Sequence, residues 1–232
     1  MIPDYPVINA DVVIAGGGSA GSMAGIRAKE MGPDNEVVVL EKGHAKYSGC
    51  IARGMDALNI VAIPGISTPE LYVESNAIAC EGIMDEPVNY RMAERSYTVM
   101  QRLIDWGVCF PTDRDGNYDI LQVHPKGKFC VTMKEPELKT ILYKHMMDAG
   151  VKVINRTMAA DLLIEDGRVA GVIAFNVRTG ELMVIRSKAV ILTAGGTARF
   201  GLPSNGNLYG VYDFPGNTGD GYMLAYRAGA KV

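Results

Sequence analysis

Cysteine is scarce and scattered in this 232-residue chain: Cys50, Cys80, Cys109 and Cys130 stand 30, 29 and 21 residues apart. There is no Cys-x-x-Cys pair, so the spacing of a structural zinc site or an iron–sulfur ligand set is missing, and the expectation is four reduced thiols and no metal. An excess of charge of one sign is missing too. The 23 basic and 26 acidic side chains leave a formal net charge of −3, and no basic run reaches five residues, which argues against nucleic acid or an anionic membrane surface as partner. No run of 18 apolar residues is present, so no transmembrane helix is expected. The first ten residues contain Asp4, no Lys or Arg and no long apolar stretch, which reads as a cytoplasmic protein rather than one with a signal peptide. Internal repeats and low-complexity tracts are also lacking.

What is present is a globular composition, 48% hydrophobic with 27 glycines, and the glycines are placed in a pattern. Residues 11–41 read as one βαβ unit. An apolar run (DVVIA, 11–15) leads into GGGSAG (16–21), then a helical stretch with Met23, Ala24, Ile26 and Ala28, then a second apolar run (EVVVL, 36–40). The Val/Ile runs do not alternate with polar residues, as expected of parallel strands covered on both faces. Gly32 and Pro33 supply the stop between helix and strand.

Helical periodicity returns at 70–81 and 89–106, after a glycine-punctuated stretch from Ser48 to Ile66, and a third helix is expected over 137–149. The excursion as a whole covers 66–150. A turn at 113–117 predicts a hairpin built from residues near Cys109 and 119–123. Residues 151–154 read as a short buried strand. Three β-rich runs over 160–190, with EDGR (165–168) and RTGE (178–181) between them, predict a small antiparallel β-meander. It leads into a further parallel-type strand at 188–193, and a helix starts at Asp220. The fold class is α/β, a Rossmann-like domain with a parallel sheet plus the meander.

Gly16, Gly18 and Gly21 satisfy G-x-G-x-x-G between a strand and a helix, and Glu41 follows Gly21 by 20 residues at the end of the next strand. That is the context a dinucleotide fingerprint requires. Gly16 allows the tight turn, Gly18 the approach of backbone N–H groups to a pyrophosphate, and Gly21 close packing of helix on strand. Ser19 and Ala20 open the helix whose free N–H groups and dipole favour an anion. The Glu41 carboxylate suits ribose hydroxyls and repels a 2′-phosphate, so NADP is disfavoured while NAD and FAD remain.

Further residues carry a resemblance. Glu41-Lys42, Ser48-Gly49, Gly54 and Ala57-Leu58-Asn59, then residues 189–196 (AVILTAGG) and 217–221 (NTGDG), follow one another in the order of the flavin-contacting segments of the fumarate reductase and succinate dehydrogenase flavoprotein family. The resemblance spans residues 11–232, and its Ser-Gly loop is most similar to adenylylsulfate reductase alpha subunits. It implies a glutathione-reductase-like FAD-binding domain over 1–232 and FAD as cofactor. It also implies cofactor contacts from Lys42, Ser48, Gly49, Gly54, Ala194, Gly195 and Asp220, the Asp220 side chain facing the flavin. Covalent members carry a flavin-linked His where Gly49 stands, so the resemblance implies noncovalent FAD, and His44 is not read as a link.

The family's substrate-capping domain and its Arg and His side chains follow the point where this chain ends, so the chain reads as an N-terminal fragment that lacks the cap. The resemblance implies an oxidoreductase flavoprotein subunit acting on a small anionic substrate, a fumarate-like enoate, another unsaturated acid or adenylylsulfate, with a separate iron–sulfur subunit as electron partner. Within the chain, Asn59 and His124 are the candidates for the substrate side. Two other readings stand beside this one: an NAD-dependent Rossmann dehydrogenase, and a noncatalytic FAD-binding module. Bound flavin separates the first from the rest, and turnover separates the second.

Overall fold

The computed structural model describes residues 5–53, 55–61, 63–134, 137–197 and 216–231. The chain forms two compact units, one of Met1–Arg53 with Lys139–Val232 and one of Gly54–Leu138.

The first unit is built on a six-stranded sheet. Strands β1 (Val7–Ala15), β2 (Val37–Glu41), β6 (Lys152–Asn155), β7 (Thr157–Glu165), β8 (Arg168–Asn176) and β9 (Leu182–Leu192) lie in the order β6-β2-β1-β9-β8-β7. The first four of these neighbours run parallel: β1 pairs with β2 and β9, and β2 with β6. Every residue of β2 is buried, which is why its sequence shows no polar alternation. Val13, Val38, Leu40, Val172, Ala174 and Ile185, all at or near zero exposure, form the core of this sheet. Helix α1 (Ser19–Met31) crosses from β1 to β2 and buries its small residues Gly21, Ser22 and Gly25, so the helix axis comes close to the strands.

The meander is present as β7-β8-β9, antiparallel throughout, and it differs from the expectation in one respect. Its third strand and the expected parallel strand at 188–193 are one continuous strand of 11 residues, β9. β9 pairs antiparallel with β8 through Leu182–Arg186 and parallel with β1 through Val184–Leu192, so the meander extends the main sheet. Helix α4 (Leu138–Asp148) precedes β6, and α5 (Asp220–Arg227) closes the described chain.

The second unit holds α2 (Pro69–Ala79), α3 (Glu86–Asp105) and a small sheet of β3 (Ala57–Asn59), β4 (Ile120–Leu121) and β5 (Cys130–Thr132) in the order β3-β5-β4. The helix starts are self-sufficient: the Thr68 hydroxyl accepts from Leu71 N–H and the Asp85 carboxylate from Val88 N–H, each followed by Pro in the first turn. Val61, Tyr72, Ala93 and Phe129 pack its core. The hairpin differs from the expectation. The turn at 113–117 closes on a single Thr112–Tyr118 bridge, while Ile120 and Leu121 pair with Val131 and Cys130 rather than with residues near Cys109. Among the described residues no helix is long and apolar enough to cross a membrane.

Candidate functional site

Strand register builds the site. Ala15 lies opposite both Leu40 and Leu192, so β1, β2 and β9 end level at their carboxyl ends. Gly16, Glu41 and Thr193 therefore leave the sheet together, at the edge where parallel α/β sheets bind ligands. A cleft of about 230 Å³ opens there.

The turn is knitted by its own backbone. Gly16 N–H donates to the Leu40 carbonyl at 2.9 Å, and the Thr193 hydroxyl donates to the Gly16 carbonyl at 2.8 Å. Gly16 has φ +112°, and a Cβ there lies 2.4 Å from the Thr193 carbonyl oxygen, so only glycine fits the turn. Gly21 is glycine for a different reason. Its position one turn into α1 brings it against the Gly16 carbonyl, and this is the close helix–strand contact expected of the third fingerprint glycine.

Gly18 is the N-cap of α1, with no side-chain cap and no acidic residue in the first turn. The first N–H groups of a helix without such partners form an anion site. A Cβ on Gly18 meets only the Gly49 Cα, at 4.0 Å, so the space above this glycine is a cradle that a side chain fills.

Glu41 is 6% exposed, and both carboxylate oxygens are engaged: Oε2 accepts from Gly17 N–H at 2.8 Å and Oε1 from Gly43 N–H at 2.7 Å. An ionised carboxylate offers about four acceptor positions, so roughly two remain for ligand hydroxyls. Lys42, the next residue, turns to α5, where its ammonium pairs with the Asp220 carboxylate and donates to the Thr218 hydroxyl at 2.7 Å. The Ser48 hydroxyl is spent locally, donating to the His44 carbonyl and accepting from His44 N–H.

Of the residues singled out for the cofactor, Gly16, Gly18, Ser19, Ala20, Glu41, Lys42, Ser48, Gly49, Ala194, Gly195 and Asp220 all line this one cleft. Gly21 lies beneath it, and Gly54 falls outside the described residues. Thr193 and Asn217, from within the segments 189–196 and 217–221, line it as well, and so do Cys50, Thr157, Met158 and Ala159, to which no sequence signal pointed. Asn217 donates to the Cys50 sulfur at 3.2 Å. Lys139, also missed, is 2% exposed and donates to the Gly17 carbonyl at 2.6 Å and the Ser22 hydroxyl at 3.0 Å. Burial lowers its pKa to about 8, against the opposing pull of the Glu41 charge.

Asn59 and His124 belong to the second unit, where they meet each other. His124 Nε2 lies 3.1 Å from Asn59 Oδ1, and the imidazole stacks edge-on to Tyr72 and Phe129 at ring-centre distances of 5.5 and 5.4 Å. Burial lowers the His124 pKa and so favours the neutral ring, and because Asn59 Oδ1 can only accept, the proton in this contact belongs to Nε2. No group of three or more potential metal ligands occurs among the described residues.

Known proteins resemble the chain throughout. A family model described as an FAD binding domain matches residues 11–232. Over 238 residues the chain is 26% identical to an uncharacterized FAD-dependent oxidoreductase of Methanocaldococcus jannaschii, covering 97% of this chain and 40% of that protein. It is 26% identical over 229 residues to a fumarate reductase flavoprotein subunit of Mycobacterium tuberculosis, covering 96% and 37%. The solved structure of adenylylsulfate reductase from Archaeoglobus fulgidus overlays with a TM-score of 0.82 at 25% identity, over 97% of this chain and 37% of that one. The chain thus spans about two fifths of the length of the curated relatives it matches.

Proposed function

The chain belongs to the FAD binding domain family, and from that premise we propose that it holds FAD noncovalently in the cleft at the carboxyl ends of β1, β2 and β9, as the cofactor-binding portion of a flavin-dependent oxidoreductase. The observation that carries the reading is the uncapped, acid-free start of α1, set against the buried Glu41 carboxylate at the end of β2. These are the two features a dinucleotide needs: N–H groups for its pyrophosphate and an acceptor for its ribose. Asp220 and Lys42 in the same cleft support FAD over NAD, because the nucleotide turn and Glu41 suffice for NAD and leave this ion pair without a role.

Bound FAD supplies hydride and single-electron transfer. The chain's own residues bind and orient. The first turn of α1 faces the pyrophosphate, the remaining acceptor positions of Glu41 take ribose hydroxyls, and Asp220, held by Lys42, presents a carboxylate to the flavin half. We assign Asn59 and His124 to the substrate side, with the neutral imidazole fixing which way the Asn59 amide presents its N–H groups. A small anionic substrate, a fumarate-like enoate, another unsaturated acid or adenylylsulfate, and an iron–sulfur subunit as electron partner complete the proposal. The relatives whose names include "fumarate reductase flavoprotein subunit" and "adenylylsulfate reductase" support it.

The test is an absorption spectrum of the purified chain between about 350 and 500 nm after incubation with FAD and removal of the free FAD by gel filtration, repeated on the supernatant of an acid precipitation. The expected result is a flavin spectrum that moves wholly into the supernatant. Colour retained in the pellet overturns the noncovalent assignment. A chain that leaves the column colourless after saturation with FAD overturns the cofactor site.

A further inference from the structure

Lys139 is the one Lys or Arg buried below a tenth of its surface among the described residues, and nothing in the dinucleotide fingerprint calls for it. Its partners explain its position. The Gly17 carbonyl accepts from Lys139 Nζ, while Gly17 N–H donates to Glu41 Oε2. Both peptide groups flanking Gly17 are therefore held, one by an anion and one by a cation. Such a clamp matters because Gly16, Gly17 and Gly18 are consecutive, and glycine backbones rotate between conformations at little steric cost. A trans peptide is planar, with its C=O and N–H pointing in opposite directions. With the Gly17 carbonyl drawn to Lys139, the N–H of Gly18 is aimed the other way.

We propose that Lys139 is a positioning residue for the dinucleotide: by holding the Gly17 carbonyl it fixes the 17–18 peptide so that the Gly18 N–H is presented to the anion, and it balances the buried Glu41 carboxylate. The proposal rests on the reading of the cleft as the FAD site. Lys139 itself does not touch the ligand; it acts through Gly17. Ser22, its other partner, lies on α1 and serves as an internal comparison, since removing that hydroxyl leaves the Gly17 contact in place.

A pH dependence follows. Of the charged groups on the elements around Lys139, Glu41 on β2 is the one that acts on it, whereas α1 and the glycine turn present only the Ser22 hydroxyl and a carbonyl. Without ligand the Lys139 pKa is about 8. A nearby pyrophosphate favours the charged ammonium, so the pKa is higher in the complex than in the free protein. Binding is therefore favoured by protonation, and affinity falls as pH rises through about 8.

The test measures FAD dissociation constants by quenching of flavin fluorescence across about pH 6.5–9.5, for the wild-type chain, Lys139→Met and Ser22→Ala, with thermal melts alongside. Each is repeated in a Cys50→Ser background, which removes the thiol lining the cleft. Lys139→Met is expected to weaken FAD about 10- to 100-fold at pH 7, the range for one hydrogen bond to a charged group, and to flatten the pH profile. Ser22→Ala is expected to stay within about threefold. Binding by Lys139→Met within twofold of wild type overturns the proposal, and so does Ser22→Ala weakening binding as much as Lys139→Met. If Lys139→Met does not fold, the wild-type profile decides: a fall above about pH 8 supports the proposal and a flat profile overturns it. A wild-type chain that takes up no FAD at any pH overturns the cofactor reading itself, and the Lys139 role with it.

Discussion

Val in place of Gly18 is expected to give a chain that folds and takes up no FAD. Gly18 has φ −68° and ψ −162°, an extended conformation open to any L residue, so backbone strain does not enter. Its added Cβ finds only the Gly49 Cα, at 4.0 Å, an ordinary contact. What the side chain does occupy is the space over the first N–H groups of α1, where the pyrophosphate must approach. Replacing a glycine N-cap by Val costs the helix about 1 kcal/mol, which a domain of this size tolerates. Loss of the phosphate contacts is expected to cost about 3 kcal/mol of binding or more, at least about 100-fold in affinity. The measurement is the flavin-to-protein ratio after saturation and gel filtration, beside a thermal melt. A variant that melts like wild type and is colourless separates ligand recognition from folding. One that retains stoichiometric FAD overturns the assignment of this cleft.

That separation is possible because the fingerprint is local, and local features were the legible ones. The strand, glycine turn, helix and second strand expected over residues 11–41 lie within one contiguous stretch, and their apolar runs and glycines specify them without reference to the rest of the chain, although β1 begins four residues earlier, at Val7, where it pairs with β9. The 20-residue spacing from Gly21 to Glu41 already fixes which carboxylate reaches the turn. Long-range pairing was less legible. β3, β4 and β5 are two or three residues long, too short to show a period, and β3 pairs with a strand more than 70 residues away in sequence. The dual pairing of β9 was hidden likewise, since an 11-residue strand that takes β8 on one edge near its start and β1 on the other edge from Val184 onward has no internal punctuation between the two.

Lys139 shows a middle case. A lysine on a predicted helix reads as solvated by default, yet a signal was present. Lys139 stands three and seven residues before Leu142 and Met146, both buried, and so falls on the apolar face of α4. A charge at a buried position of an amphipathic pattern needs a partner elsewhere in the fold. The sequence therefore marks the anomaly, whereas its partners, Gly17 and Ser22, are separated from it by 122 and 117 residues and emerge only when α4 packs against the glycine turn.

Gly21→Ala sets two principles against each other, and the sign of the result decides between them. By helix propensity alone the change is favourable, because Gly in a helix interior is about 1 kcal/mol worse than Ala. Gly21 lies in α1, and the substitution also restricts the unfolded chain, which adds in the same direction. Packing opposes both. The new Cβ lies 1.9 Å from the Gly16 carbonyl oxygen and 2.9 Å from the Thr193 hydroxyl. The first of these is backbone, so no rotamer change relieves it, and that same oxygen accepts from Thr193, so it cannot turn away without breaking the bond that ties β9 to the turn. The helix must lift from the strands. The expected outcome is a net loss of about 2–4 kcal/mol, a melting temperature lower by about 5–15 °C, and weaker FAD binding because the N-terminus of α1 moves with the helix. Gly25→Ala is the matched control one turn along. Its Cβ meets the Val151 side chain at 3.3 Å, a neighbour that can shift by a few tenths of an ångström, so the change in stability is expected to stay within about 1 kcal/mol. If Gly21→Ala melts at or above the wild-type temperature, the close approach of α1 to the Gly16 carbonyl is not what holds this turn.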